Sequence, residues 1–118
     1  MGKIRSSKAK GRKLQNFVRD SLRSSFPSLE EDDIKSQTMG MTGEDIVLSP
    51  AARKLIPYSF ECKNVERLQF WSSVEQAEAN CKDEVDPAVV VKKNRKDPMV
   101  AIPWNTFIKL IKPLFLEV

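Results

Sequence analysis

Residues 58–63, Tyr-Ser-Phe-Glu-Cys-Lys, alternate without interruption. A period of two is the β-strand period, so Tyr58, Phe60 and Cys62 fall on one face and Ser59, Glu61 and Lys63 on the other. One face of this strand therefore carries an acid and a lysine two residues apart. Arg67 to Lys82 follows without Gly or Pro and reads as a helix whose apolar seam is Trp71, Val74, Ala77 and Cys81. Pro87 marks the break. Ala88 to Val91 reads as a buried strand continued by Lys92 and Lys93, Asn94 to Asp97 as a turn, and Met99 to Ile102 as a strand hairpin-paired with the previous one.

Upstream, Leu14, Phe17, Val18 and Leu22 keep helical spacing and predict a helix from about Gly11 to the Phe26-Pro27 break. Residues 1–9 have no apolar period and read as a flexible basic arm, leaving 10–118 as a single domain. Leu29 to Asp33 is an acidic connection, Ile34 to Met39 a weak strand, and Met39 to Gly43 a turn-rich stretch. Asp45 to Leu48 is a short strand stopped by Ser49-Pro50, and Ala51 to Ile56 a loop or single helical turn. Trp104, Phe107, Ile108 and Ile111 mark a last helix, with Leu114 and Phe115 extending its apolar character. The order α-β-β-β-α-β-β-α predicts an α/β domain with a central mixed sheet of about five strands flanked by helices.

Composition narrows the chemistry. The chain has 118 residues and no histidine, which excludes imidazole acid–base catalysis, Ser-His and Cys-His nucleophile pairs, and His-ligated zinc. Two cysteines, Cys62 and Cys81, are too few for a four-thiolate site and suit a reduced, cytoplasmic protein. No apolar run approaches membrane-spanning length. Residues 1–25 carry eight basic side chains against the single Asp20, whereas the rest of the chain is net negative within an overall charge of +4. A basic end on a mildly acidic body points to a polyanion, most simply nucleic acid.

With imidazole absent, carboxylates and a lysine remain. Asp45 opens the strand that precedes the Glu61-Cys62-Lys63 strand. If these strands pair, Asp45 and Glu61 can converge to within one ion's reach. Two carboxylates, waters and a backbone carbonyl suit Mg²⁺, with Mn²⁺ as substitute. Lys63 beside them would orient or activate a water, or stabilise charge on a phosphate. Tyr58, Trp71 and Trp104 are aromatic enough to stack on bases, but the positions of both tryptophans on apolar seams predict core packing.

Gly43-Glu44-Asp45-Ile46, a short spacer and then Ser59-Phe60-Glu61-Cys62-Lys63-Asn64 before a helix resemble the core of the PD-(D/E)XK nuclease superfamily. Lys10-Gly11-Arg12-Lys13-Leu14-Gln15 is similar to the opening of the first helix in its small Holliday-junction resolvases and phage-type endonucleases. The resemblance spans about residues 10–103. It implies a restriction-endonuclease-like fold and an Mg²⁺-dependent endodeoxyribonuclease acting on DNA, branched DNA first among substrates, as a homodimer in the cytoplasm (the host's, if the chain is viral). Asp45, Glu61, Lys63 and Gln15 become the catalytic set. The metal set is Asp45, Glu61 and Cys62, the last through its backbone carbonyl, since its side chain points the other way. Gln76, or else Gln69, on the following helix would assist. Lys3, Arg5, Lys8, Lys10, Arg12, Lys13, Lys92 and Lys93 would hold DNA. The chain departs from the pattern at Glu44, where the motif has proline, and at Gln15, where resolvases usually carry glutamate. The competing class is a non-catalytic nucleic-acid-binding module in which the acids are mere surface.

Overall fold

In the computed structural model, which describes residues 3–38, 40–82 and 84–112 with side chains from residue 7 onward, the chain begins with a long helix, α1 (Lys3–Ser25). Residues 3–9 are thus the first turns of α1 rather than an irregular arm. Apolar spacing is blind to this stretch, but Lys8, Ala9, Lys10 and Arg12 are strong helix formers, and Ser7, Lys8 and Ala9 are exposed. Leu14 and Val18, one turn apart, are the buried apolar side chains of its inner face, while Phe17 is half exposed.

A single 3₁₀ turn (Glu31–Asp33) leads into β1 (Ile34–Ser36), which pairs antiparallel with β2 (Ile46–Leu48). Between them Gly43 takes φ +101°, a left-handed conformation that favours glycine. α2 (Pro50–Leu55) follows; its Ser49 N-cap accepts the Ala52 N–H and donates its hydroxyl to Asp33 Oδ1 at 2.6 Å. β3 (Tyr58–Asn64) then pairs in parallel with β4 (Asp86–Lys92) through the crossover helix α3 (Phe70–Asn80). β5 (Met99–Ala101) returns antiparallel to β4, and α4 (Trp104–Ile111) closes the described chain. The protein is α/β with a mixed arrangement of strands, in the order expected plus α2. No helix among the described residues is long and apolar enough to cross a membrane.

The strands form a two-stranded and a three-stranded sheet; the expected continuous sheet of about five is not formed. The physical reason sits at Asp45. Its N–H donates to Phe60 O at 3.0 Å, as the first rung of a β2–β3 ladder would. Its carboxylate then accepts the Cys62 N–H at 2.7 Å, occupying the donor that the next rung would use. The junction of the two sheets is therefore one backbone rung followed by a side-chain bond. The core lies beneath it, where α1 covers both sheets with Leu14 and Val18 against Ile34, Ile46, Leu48, Ile56, Cys62 and Val90.

Candidate active site

In β3 the odd-numbered residues turn their backbone groups toward β4, as Val65 N–H to Lys92 O and Asp86 N–H to Pro57 O show; the even-numbered ones face β2. The Cys62 carbonyl therefore points along the edge where Asp45 sits. The Glu61 and Lys63 side chains leave the sheet on the α3 side. Glu61 is only 3 % exposed. Lys63 Nζ lies 3.5 Å from Glu61 Oε2 and donates to Gln76 Oε1 at 2.8 Å. Asn80 Nδ2 reaches Glu61 Oε1 at 3.4 Å. Gln76 and Asn80 are four apart and share one face of α3. Gln76 is thus the glutamine that meets the lysine. Gln69 instead precedes the helix and accepts the Ser73 N–H and hydroxyl with its carbonyl. Asn80 was not foreseen from sequence; its only signal is that spacing from Gln76.

The fourth wall comes from α1. Gln15 is 7 % exposed, and its Oε1 is buried with no hydrogen-bond partner. An unpaired buried acceptor costs about 1–3 kcal/mol, so its position calls for an occupant. Burial pushes the Asp45 carboxyl above its ordinary range, partly offset by the Cys62 N–H, by Lys63, and by the Gln15 and Glu61 side chains beside it. Burial also raises Glu61, and the Asp45 charge raises it further. Two buried carboxyls that repel each other, beside a carbonyl oxygen lacking a donor, form an environment that a hard cation relieves. Among the described residues no group of three or more His, Cys, Asp or Glu exists that could hold a metal; the donor set here is two carboxylates, the Gln15 amide oxygen and the Cys62 carbonyl. The Cys62 thiol is pushed up strongly, by burial first and then by the two carboxylates, which leaves it no nucleophilic role.

Glu44, the residue before Asp45, is buried and bound. Arg53 Nη2 donates to both its carboxylate oxygens at 2.8 and 2.9 Å, and Arg53 Nη1 donates to Tyr58 O at 2.6 Å. This guanidinium ties α2 to the residue before Asp45 and to the start of β3.

The basic residues divide. Lys10, Lys13 and Lys92 line one cleft, and Lys92, Lys93 and Lys96 line its neighbour. Lys8 and Arg12 are exposed outside both clefts. The Lys3 and Arg5 side chains, like Leu114 and Phe115, lie outside the described residues. Trp71 and Trp104 are 73 % and 70 % exposed, a correction to the core packing expected of them. α3 approaches the sheet with the small Ser73 and Ala77, which turns Trp71 outward. It meets Phe70 edge-on at 4.9 Å, and Trp104 meets Phe107 at 5.7 Å. Compared with protein-family models, curated proteins and solved structures, the chain matches none.

Proposed function

We propose that this protein is a metal-dependent DNA endonuclease of the PD-(D/E)XK type, structure-selective and most active on branched DNA. The observation that carries the reading is the meeting of Asp45, Glu61 and Lys63 with the unpartnered Gln15 Oε1 at one sheet junction. Asp45, Glu61 and the Cys62 carbonyl would hold Mg²⁺ or Mn²⁺, with Gln15 Oε1 taking the ion or one of its waters. The bound cation supplies charge stabilisation at the scissile phosphate. Lys63, kept in place by Gln76 and Glu61, orients the water whose oxygen attacks phosphorus and offsets the negative charge that builds there. A P–O bond forms to the water oxygen as the P–O ester bond to the leaving alkoxide breaks; the water gives up a proton to solvent and the alkoxide takes one up from it. Asn80 positions Glu61 and does not touch the reacting atoms.

In this reading the two sheets act as halves of one central layer that meet at Asp45. The lysines of the two clefts suit contact with the phosphate backbone more than base-edge readout, which favours recognition of DNA shape, by a homodimer that cuts two strands. The test is Mg²⁺-dependent cleavage of a four-way junction and of a linear duplex of the same sequence. Cleavage of the junction in preference to the duplex, lost in Asp45→Asn and in Glu61→Gln while both variants still bind it, is expected. Wild-type turnover in either variant, or DNA binding without any metal-dependent cleavage by the wild type, would overturn the reading, the second in favour of a binding module.

A further inference from the structure

We infer that the cleft between α1 and the β4–β5 turn is a binding subsite for a single sugar-phosphate strand of nucleic acid. For its catalytic neighbour it rests on the nuclease reading above. The cleft encloses about 300 Å³ and takes Lys10 and Lys13 from α1, Asn64 from β3, and Lys92 and Asn94 from β4 and the turn that follows. Lys10 and Lys13 are three apart and share a helix face. Lys92 lies opposite Asn64 in the β3–β4 register. Asn64 donates its side-chain N–H to Lys10 O at 3.0 Å, which fixes the helix against the end of the strand. Three lysines from two separate elements are thereby brought to one concavity.

The cleft's rim already cradles an oxyanion. Glu66 Oε2 accepts the Asn94 N–H at 2.6 Å and lies 3.8 Å from Lys10 Nζ. A turn N–H and a lysine converging on one carboxylate oxygen are the donors that bind a phosphate oxygen. Glu66 is half exposed and free to yield the place to a stronger anion. The half-exposed Phe17, with Pro98, forms an apolar wall beside the lysines, which suits a sugar or base and not a bare inorganic ion. Asn64 directly follows Lys63. The Asn64 side chain turns to the α1 face of β3 and Lys63 to the α3 face, so the cleft and the catalytic pair flank one strand end from opposite faces. Lys92 also borders the adjoining cleft of Lys93 and Lys96, so the basic track continues around the turn.

The experiment measures DNA affinity of the full chain by fluorescence anisotropy, without divalent metal, across a salt series. Wild type is compared with Lys10→Ala/Lys13→Ala/Lys92→Ala and, separately, with Glu66→Gln. The triple variant should bind more weakly, and its slope of log affinity against log salt should shrink by about 2–3 units, at about 0.7–0.9 per lost phosphate contact. Glu66→Gln should bind about two- to fivefold more tightly, the size of one exposed charge interaction. An unchanged slope in the folded triple variant, or weaker binding by Glu66→Gln, overturns the subsite; if the triple variant does not fold, Glu66→Gln alone decides. Binding that the three lysine substitutions leave unchanged, with Asp45-dependent cleavage intact, would sink the subsite alone. Lysine-dependent binding by a wild type that never cleaves DNA would sink the nuclease reading alone.

Discussion

Arg53→Met should destabilise the protein by about 3 kcal/mol, although Arg53 is far from any reacting atom in role. The guanidinium makes three short hydrogen bonds, two to Glu44 and one to Tyr58 O. Glu44 is 7 % exposed, so removing its partner leaves a buried carboxylate uncompensated, a change that costs about 3–5 kcal/mol. Lys82 Nζ stays 3.9 Å from Glu44 Oε1 but is largely exposed, which places the cost at the low end of that range. With an unfolding entropy of about 2.1 cal/mol/K per residue, a chain of 118 residues loses about 12 °C of melting temperature for 3 kcal/mol. Glu44→Met/Arg53→Met removes both charges together and should recover most of the loss. Arg53→Lys should not, because one ammonium cannot serve Glu44 and Tyr58 O at once. Thermal unfolding followed by circular dichroism gives all four values. A drop below about 1 kcal/mol in Arg53→Met, or a double variant no better than the single, would refute the argument that this pair is buried and mutually compensating.

Asp45→Asn and Glu61→Gln should each stabilise the metal-free fold near neutral pH. Both carboxyls are raised in the folded state, chiefly by burial, so the folded state binds their protons more tightly than the unfolded one. The wild type therefore loses stability as pH rises from the ordinary carboxyl range through the raised values, and either variant escapes that loss. Urea midpoints should show no advantage at about pH 3.5 and a clear one at about pH 7.5; equal gains at both would contradict the raised values. Lys63→Ala should lower single-turnover cleavage by about 10²–10⁴-fold, and Lys63→Arg should not restore it, since the larger fork cannot keep the 2.8 Å bond to Gln76 and the 3.5 Å approach to Glu61. Trp71→Ser and Trp104→Ser should each change stability by under about 0.5 kcal/mol, whereas Leu14→Ala should cost about 2–5 kcal/mol; urea titration separates the two cases.

The strand carrying Glu61 and Lys63 was legible because a period of two leaves no choice of face. That same alternation put Cys62 in the core, where the structure has it. Asp45 was legible as the start of a strand, but its side chain's bond to the Cys62 N–H was not, because no residue pattern records a carboxylate standing in for a ladder rung. Hence the sheet was expected whole and is found in two parts. The tryptophans were misread for a different reason. Apolar spacing identifies a helix face without saying how much protein lies opposite it, and the three-stranded sheet is covered by α3 through Ser73 and Ala77 instead. The basic start of α1 shows the converse limit, since a helix held by propensity alone leaves no apolar signature. Glu44 and Arg53, nine residues apart, carry no local sign of their pairing.

The central claim is that Asp45 and Glu61 share a divalent cation with Gln15 at the sheet junction. The most direct test is anomalous diffraction from crystals of the wild-type protein soaked in Mn²⁺. The account predicts a peak between the Asp45 and Glu61 carboxylates, with oxygen ligands at about 2.1 Å, the Cys62 carbonyl among them, and Gln15 Oε1 bonded to the ion or to one of its waters. Soaking at saturating Mn²⁺ that leaves no peak there, with both carboxylates turned away from each other, would contradict it.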